Sequence, residues 1–330
     1  MAGNGETNLY DPVDPEVRVF VEQVNAEFVR QGPFDGLPFP EARRVAEQVR
    51  LPWRQGGPRM ADTREILVPT GGEGVRIRLY DPGRSQGSTP LRAALVYMHG
   101  GGWTLFSLDT HDRLMREYAA RSGLIVIGVD YALSPEAKFP TALEQVTGVV
   151  RWLREHGAIL GVDAERIALG GDSAGGNLAV TASLKLRDDQ DAATIAGILV
   201  NYGAFAPECS DDATRRYGGD GYMLGTQELL QFWANYLNSA DDAKNPLACP
   251  MRASLAGLPP VHMAIAECDV LCEQNLIMAE RLRAAGVAVE ATVYRGATHS
   301  FLEAVAIAQV AVRALEDASR WLVRTTALPR

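Results

Sequence analysis

A serine lies in the glycine-rich sequence GGDSAGG, which spans residues 170–176. The apolar stretch 167–169 before it is typical of a strand, and the residues after it are typical of a helix. A nucleophile on such a tight strand-to-helix turn needs small neighbours, which Gly171 and Gly175 provide. Ser173 would project at a helix N-terminus, where the helix dipole and free N–H groups favour a developing anion. We therefore predict that Ser173 is a catalytic nucleophile.

A second glycine-rich sequence, HGGGW at residues 99–103, follows another apolar stretch upstream. Its glycines leave backbone N–H groups uncovered. Together with the N–H of Ala174, we expect them to stabilise the oxyanion that acyl transfer creates. Each motif alone also fits a plain glycine turn or a phosphate-binding loop. The chain has neither a G-x-G-x-x-G motif nor a phosphate-loop lysine, so the two motifs together favour acyl transfer over nucleotide binding.

A serine nucleophile needs a general base, and position in the chain selects among five histidines. His99 belongs to the glycine loop, His111 and His156 lie in helical stretches, and His262 lies inside a predicted strand. His299 lies in a loop after the last predicted strand. In the chain order Ser, Asp, His, the base is expected at this place, so we predict His299 as the base.

The acid that orients the base should lie at the end of the preceding strand, where Glu267 and Asp269 both occur. Glu267 is close to the strand and is suited to cap a backbone group. Asp269 begins the loop and is short enough to fix an imidazole, so we predict Asp269 as the acid. Capping of the next helix is the alternative role for Asp269.

The cysteines are too few for a disulfide scaffold and lack the C-x₂-C spacing of a zinc site. We expect reduced thiols, no metal and no organic cofactor. A redox role for Cys268 and Cys272, which are four residues apart, is left open.

The elements that would position these groups alternate between strand and helix. Period-two alternation at residues 75–79 indicates a half-exposed antiparallel hairpin. Unbroken apolar runs then indicate strands buried on both faces of a parallel sheet, separated by helical stretches. We predict a mostly parallel, doubly wound α/β sheet with an antiparallel start. The later strands are predicted at 93–97, 124–129, 167–170, 195–200, 261–266 and 288–294, and the helices between them at 140–156, 174–186 and 273–285.

Two further segments are predicted to form a helical cap over the sheet. The first, residues 1–55, holds a helix capped by Asp14 and a second helix from Pro40. The other is an insertion at residues 206–242, with an aromatic helix for which Thr226 is the predicted N-cap. The core would then comprise residues 56–205 and 243–330. The apolar residues of the aromatic helix are Leu229, Phe232, Trp233 and Tyr236.

Charge and hydropathy exclude several classes of partner. The formal net charge of -9 would repel phosphate backbones and anionic lipid. No apolar run approaches the roughly 18 residues of a membrane span. The first residues lack the basic and apolar regions of a signal peptide. We expect a cytoplasmic protein that binds neither nucleic acid nor membrane.

These motifs resemble those of the hormone-sensitive-lipase-like esterases of the α/β-hydrolase fold, which include bacterial carboxylesterases and acetyl esterases. Beside HGGGW and GDSAGG, the sequence DYALSPEAKFP at residues 130–140 is similar to the family's D-Y-R-L-A-P-E-x-x-F-P. LPP at 258–260 and AECD at 266–269 are similar to its L-P-P and A-E-x-D. The chain departs from the family at Ser300, where glycine is usual.

The resemblance implies Ser173, Asp269 and His299 as a catalytic triad. It also implies an oxyanion hole formed by the N–H groups of Gly101, Gly102 and Ala174. The implied substrates are small carboxylic esters, and the implied assembly includes a homodimer as one possibility.

From the resemblance and the aromatic cap helix around Phe232 and Trp233, we expect a preference for acyl chains of roughly two to eight carbons. An amidase or peptidase on the same fold and a non-catalytic small-molecule receptor remain alternatives.

Overall fold

A computed structural model describes residues 12–70, 72–83, 91–190 and 195–327 of the chain. Within these residues eight strands form one sheet. The strands are β1 (Asp62–Val68), β2 (Val75–Asp81), β3 (Arg92–Met98), β4 (Ile125–Val129), β5 (Val162–Asp172), β6 (Ile195–Asn201), β7 (Val261–Cys268) and β8 (Val289–Thr298). The α-helices are α1 (Pro15–Gln31), α2 (Phe39–Arg54), α3 (Asp112–Ser122), α4 (Thr141–His156), α5 (Ala174–Asp188), α6 (Asp211–Tyr217), α7 (Thr226–Tyr236), α8 (Cys272–Ala284) and α9 (Gln309–Thr325).

The strand order is β1-β2-β4-β3-β5-β6-β7-β8. The pairs β1–β2 and β2–β4 are antiparallel, and all later pairs are parallel. In β2 the side chains of Val75, Ile77 and Leu79 are buried, and Arg76 and Arg78 point to the other face. The predicted mostly parallel α/β sheet with an antiparallel start is therefore confirmed.

Helices cover both faces of the sheet because its central strands are apolar on both sides. One apolar layer includes Val146 of α4, Leu178 of α5 and Met278 of α8. The opposite layer includes Tyr118 of α3 and Leu315 of α9. All parallel strands end at the same edge of the sheet, so the loops that follow β3, β5, β7 and β8 share that edge.

The N-terminal helix begins as predicted. The Asp14 carboxylate accepts hydrogen bonds from the N–H groups of Glu16 and Val17, and Pro15 is the first helical residue. The apolar face of α1 packs on the layer formed by α3 and α9. Its buried residues are Val17, Phe20, Val21 and Val24. The second helix begins at Phe39, one residue earlier than predicted.

The insertion between β6 and β7 contains α6 and the aromatic helix α7. The prediction that Thr226 is the N-cap of α7 is wrong, because Thr226 is already the first helical residue. Gly225 has the extended backbone of a cap residue, and its carbonyl accepts the N–H of Leu229. The Arg18 guanidinium of α1 donates a hydrogen bond to the Gly221 carbonyl, so both predicted cap segments are in contact.

The division of the chain into residues 1–55, 56–205, 206–242 and 243–330 stays a prediction, and residues 1–11 of its first segment lie outside the described part. Among the described residues, no helix has both the length and the apolar character needed to cross a bilayer.

Candidate active site

The nucleophile turn is closed by direct backbone contacts. Ser173 follows β5 and precedes α5 with a positive φ of 55°, a conformation that is strained for a non-glycine residue. A Cβ atom at Gly171 would overlap the backbone of Gly175, and one at Gly175 would overlap the Met98 carbonyl at the end of β3. The two glycines are therefore required by close approach of the chain, as the sequence predicted.

The structure brings Ser173, His299 and Asp269 together, although they follow three different strands. His299 Nε2 lies 3.0 Å from Ser173 Oγ, and His299 Nδ1 lies 2.8 Å from Asp269 Oδ2. Asp269 is 1% exposed and His299 is 6% exposed. With the Nδ1–H donated to Asp269, Nε2 is free to accept the serine proton.

Two opposing effects act on the His299 imidazole. Burial alone would lower its pKa, but the Asp269 carboxylate favours the protonated ring and raises the pKa above its ordinary value. The ring is also fixed by an edge-on contact with Tyr202, with 5.0 Å between ring centroids. A base held in this way can take the serine proton and keep it during formation of a tetrahedral intermediate.

Glu267, the alternative acid, binds backbone instead. Its Oε2 accepts a hydrogen bond of 2.9 Å from the N–H of Gly296, where β8 has a positive φ of 71°. The Gly296 carbonyl in turn accepts the N–H of Asp14, at the start of α1. The other carboxylate oxygen of Asp269, Oδ1, accepts a hydrogen bond from the Leu271 N–H. The structure thus separates a structural Glu267 from an Asp269 that contacts the imidazole.

The HGGG loop lies beside the nucleophile because β3 is the neighbour of β5. Gly101 and Gly102 have φ values of 103° and 59°, which only glycine adopts readily. Within the described residues, the amides of Gly101, Gly102 and Ala174 have no hydrogen-bond acceptor. Three N–H groups close to Ser173 are therefore available to an oxyanion.

A buried network that sequence reasoning missed connects the two motifs. Asp172 Oδ1 accepts hydrogen bonds from the Gly100 N–H at 3.2 Å and from the Tyr97 hydroxyl at 2.8 Å. Asp172 Oδ2 lies 3.2 Å from His111 Nε2. The residue before the nucleophile thus holds the first glycine of the oxyanion loop. Its place inside GGDSAGG was a signal for its importance, but its partners are distant in the chain.

The pKa values of the two imidazoles near Asp172 are shifted in opposite directions. Burial would raise the pKa of Asp172, but the facing His111 ring holds it below its ordinary value. Burial likewise opposes protonation of His111, and Asp172 overcomes it and raises the His111 pKa. His99 stacks on Tyr131 at 4.5 Å, and burial together with His111 lowers its pKa to about 4. His99 is therefore neutral in the oxyanion loop. His111 lies just before α3 and not within it.

A small cavity of about 60 Å³ lies over the nucleophile, between the core and the predicted cap segments. Ser173 and His299 line this cavity, and the rest of its wall combines apolar side chains with the polar side chains of Asn25, Arg50, Glu228 and Ser300. A Cβ atom at Gly102 would overlap the ring of Phe232, so this ring lies directly on the oxyanion loop. The apolar cap residues that line the cavity are Val24, Phe28, Met223, Leu224 and Phe232.

Trp233, the other aromatic residue expected to limit the pocket, does not line this cavity. It is 2% exposed and packs edge-on against Trp103, which stacks on Tyr236 with 4.2 Å between centroids. Trp233 follows Phe232 directly on α7, and one residue corresponds to a rotation of about 100° around a helix. The Trp233 side chain therefore points to the core while the Phe232 side chain points to the cavity.

No cluster of three or more histidine, cysteine or carboxylate side chains able to hold a metal occurs within the described residues. The four cysteines are free thiols. Burial raises the pKa of Cys272 to about 11, so this thiol is protonated at neutral pH.

Comparison with known proteins agrees with this geometry. The model of a family described as alpha/beta hydrolase fold matches residues 95–303. The chain belongs to the α/β-hydrolase fold family. Because the match runs from β3 past His299, it includes both glycine motifs and the three side chains that meet at the site.

Solved structures similar to this α/β-hydrolase are esterases. A hyperthermophilic esterase from the archaeon Pyrobaculum calidifontis is 30% identical, with a TM-score of 0.87 over 96% of this chain and 100% of that one. A thermostable esterase from Pseudomonas putida is 27% identical, with a TM-score of 0.87 over 99% and 100%. A thermostable carboxylesterase cloned from a metagenomic library is 29% identical, with a TM-score of 0.83 over 88% and 99%. The resemblance to esterases that the motifs indicated is therefore confirmed.

Replacement of the acid tests the assignment of Asp269. We expect Asp269→Asn to lower kcat by up to about 10,000-fold because the imidazole loses the group that sets its tautomer. Asp269 also raises the His299 pKa, and the base acts when unprotonated. The acidic limb of kcat/KM, expected above about pH 6.5 in the wild type, should therefore move to lower pH in the residual activity of the variant.

Glu267→Gln is the matched control for this variant, and its kcat should fall far less. A larger loss in Glu267→Gln than in Asp269→Asn would assign the orienting role to Glu267.

Asp172→Ala, which removes the Oδ1 acceptor of the Gly100 N–H, tests the link between the nucleophile turn and the HGGG loop. We expect kcat to fall by about 10- to 100-fold with little change in KM, because oxyanion contacts strengthen in the transition state. Tyr97→Phe removes one donor to the same oxygen but leaves the Gly100 contact, so its loss should be smaller. Steady-state kinetics on folded variants would measure both losses, and an unchanged kcat in Asp172→Ala would contradict the link.

Proposed function

We propose that this α/β-hydrolase is a serine carboxylesterase that hydrolyses esters with short acyl groups through an acyl-enzyme on Ser173. One observation carries the proposal: the His299 imidazole bridges Ser173 Oγ and Asp269 Oδ2, and all three residues are buried. The esterase activity named for similar structures supports the same class of reaction.

The first half of the reaction forms the acyl-enzyme. His299 takes the Ser173 proton as the hydroxyl attacks the ester carbonyl, and the N–H groups of Gly101, Gly102 and Ala174 stabilise the oxyanion. His299 then returns the proton to the departing alcohol. In the second half, water attacks the acyl-enzyme with the same base, which restores the Ser173 hydroxyl. No cofactor is needed for either step.

The short acyl group follows from the space over the nucleophile. Ligand pockets commonly measure roughly 300–1,000 Å³, and the cavity at Ser173 has about 60 Å³. The Phe232 ring occupies the position directly above Gly102. A long acyl chain would require this ring and the helix that carries it to move. Location in the cytoplasm and assembly as a homodimer stay predictions.

The nucleophile is tested by Ser173→Ala together with a phosphonate probe. Turnover of p-nitrophenyl butyrate should be lost in this variant without unfolding, because the turn accepts a small side chain in place of the hydroxyl. In the wild type, mass spectrometry of the phosphonylated protein should locate the probe on Ser173 alone. Activity that persists in Ser173→Ala, or a label elsewhere, would refute the assignment.

A second comparison separates an esterase from an amidase. The wild type should hydrolyse p-nitrophenyl butyrate much faster than the matching anilide. Comparable kcat/KM values for ester and anilide would favour the amidase alternative.

Phe232→Ala is expected to shift the preferred ester to longer acyl chains. Each added methylene that gains burial is worth about 0.8 kcal/mol, or roughly fourfold in kcat/KM. Across a p-nitrophenyl series from acetate to palmitate, the wild-type activity should rise and then collapse, and the collapse should occur later in the variant. Trp233→Ala is the control, because this ring lies in the apolar core and outside the cavity wall.

Trp233→Ala should leave the chain-length optimum unchanged and lower the free energy of unfolding by about 3–5 kcal/mol. If Trp233→Ala shifted the optimum and Phe232→Ala did not, the assignment of the pocket wall would be wrong.

A further inference from the structure

A buried arginine lines the substrate cavity and has no part in the proposed mechanism. Arg50 is on the cap helix α2 and is 5% exposed. It lines the same cavity as Ser173 and His299. A guanidinium is charged at any physiological pH and is costly to bury, so its partners define what it does there.

The Arg50 side chain is held by charge and by stacking. Its Nε lies 3.1 Å from Oε2 of Glu303, which is also almost fully buried. The centre of the guanidinium lies 5.0 Å from the Phe106 ring centroid and 5.8 Å from that of Phe20. Contacts with two aromatic faces fix a planar guanidinium and leave the N–H groups at its edge available for hydrogen bonds.

Two of its nitrogen atoms lack an acceptor. Within the described residues, neither Nη1, which is buried, nor Nη2 makes a hydrogen bond. Nε differs from them because it lies 3.1 Å from Glu303 Oε2. Buried donors without acceptors are unfavourable, and native proteins rarely keep them. Nη2 has no partner and is not enclosed as Nε and Nη1 are, so an acceptor supplied by a bound substrate can reach it.

We propose that Arg50 binds a second oxygen atom of the substrate, beyond the scissile ester group. This inference rests on the proposed esterase function and specifies its substrates. These are esters of short acids or alcohols that carry an ether, keto or hydroxyl oxygen. The arginine donates a hydrogen bond to that oxygen, and a hydrocarbon ester of equal length offers no acceptor in its place, so the arginine selects oxygen-containing esters over hydrocarbon esters.

Charge favours a neutral oxygen over a carboxylate at this position. Glu303 already balances the charge of Arg50. Glu228 lines the same cavity and adds a second carboxylate, with a further interaction of its own. An anionic substrate group would face both carboxylates with one guanidinium to balance them. A neutral acceptor receives the hydrogen bond without this repulsion.

Pairs of esters that differ by one oxygen test the proposal. One set of pairs places the extra oxygen in the acyl group: p-nitrophenyl methoxyacetate is compared with p-nitrophenyl butyrate, and p-nitrophenyl 3-methoxypropanoate with p-nitrophenyl pentanoate. This set is the acyl arm. In the alcohol arm, 2-methoxyethyl acetate is compared with butyl acetate. The quantity measured is the ratio of kcat/KM for the oxygen-containing ester to that for its hydrocarbon partner. Differences in chemical reactivity within a pair cancel when one enzyme variant is compared with another.

The expected result is a fall of that ratio by about 10- to 100-fold in Arg50→Met, in the arm whose oxygen reaches the guanidinium. Arg50→Met leaves Glu303 unpaired, so the double variant Arg50→Met/Glu303→Met, which removes both charges, is measured beside it. Arg92→Met is the control, because Arg92 is a buried arginine paired with Asp81 outside the cavity. Its ratios should equal those of the wild type.

Unchanged ratios in both arms for a folded Arg50→Met, or for the folded double variant, would overturn the proposal. A loss confined to an ester with a free carboxylate, such as p-nitrophenyl hydrogen glutarate, would also overturn it in favour of anion binding. If the wild type hydrolyses neither member of any pair, the proposed function fails and the inference fails with it. Turnover of the hydrocarbon esters with unchanged ratios rejects the role of Arg50 alone.

Discussion

The close contact between the backbone at the end of β3 and the first turn of α5 is the constraint on which the site depends. Gly175 lies against the Met98 carbonyl, and Gly171 lies against both. Because no side chain separates these segments, the HGGG loop that follows Met98 lies beside Ser173. The same approach sets the strained backbone of the serine. Sterics at two glycines therefore determine where the nucleophile and the free N–H groups meet.

Around this contact, buried carboxylates are paired with basic side chains from different parts of the chain. His299 faces Asp269, His111 faces Asp172, and Arg50 faces Glu303. A buried charge without a partner would be strongly destabilising, so each pair requires both of its elements to be in place. The pairs also leave fixed charges and dipoles near the cavity at Ser173. Fixed dipoles of this kind stabilise a transition state without reorganisation during the reaction.

The sequence predicted the parts of this arrangement that depend on local pattern. The sheet was predicted from the alternation in β2 and from the unbroken apolar strands. The residues at its edge were predicted from the two glycine motifs. The choice between Asp269 and Glu267 also agrees with the contacts. The two residues are only two positions apart at the end of β7, but the Asp269 side chain contacts His299 and the Glu267 side chain contacts Gly296. The N-cap of α7 was misplaced because threonine is a good cap residue and glycine is a permissive one, so composition could not decide between neighbours.

Other features could not be read from the sequence because they arise from contacts between distant residues. The bond from Gly100 to Asp172 joins positions 72 residues apart. The burial of Arg50 beside Phe106 depends on how α2 packs on the core. Phe232 and Trp233 are neighbours in one aromatic helix, and only the orientation of that helix shows which of them meets the cavity.

The position of Gly296 has a consequence for recombination between relatives. Gly296 lies three residues before His299. Its carbonyl accepts a hydrogen bond from the N–H of Asp14, and its own N–H donates one to Glu267. The start of α1 is thus joined to the segment that leads into the His299 loop. A chimera that imports its N-terminal helices from another esterase must therefore import a matching last strand as well. Protein engineers who treat the N-terminal helices as an exchangeable module would divide the molecule at a contact that supports the His299 loop.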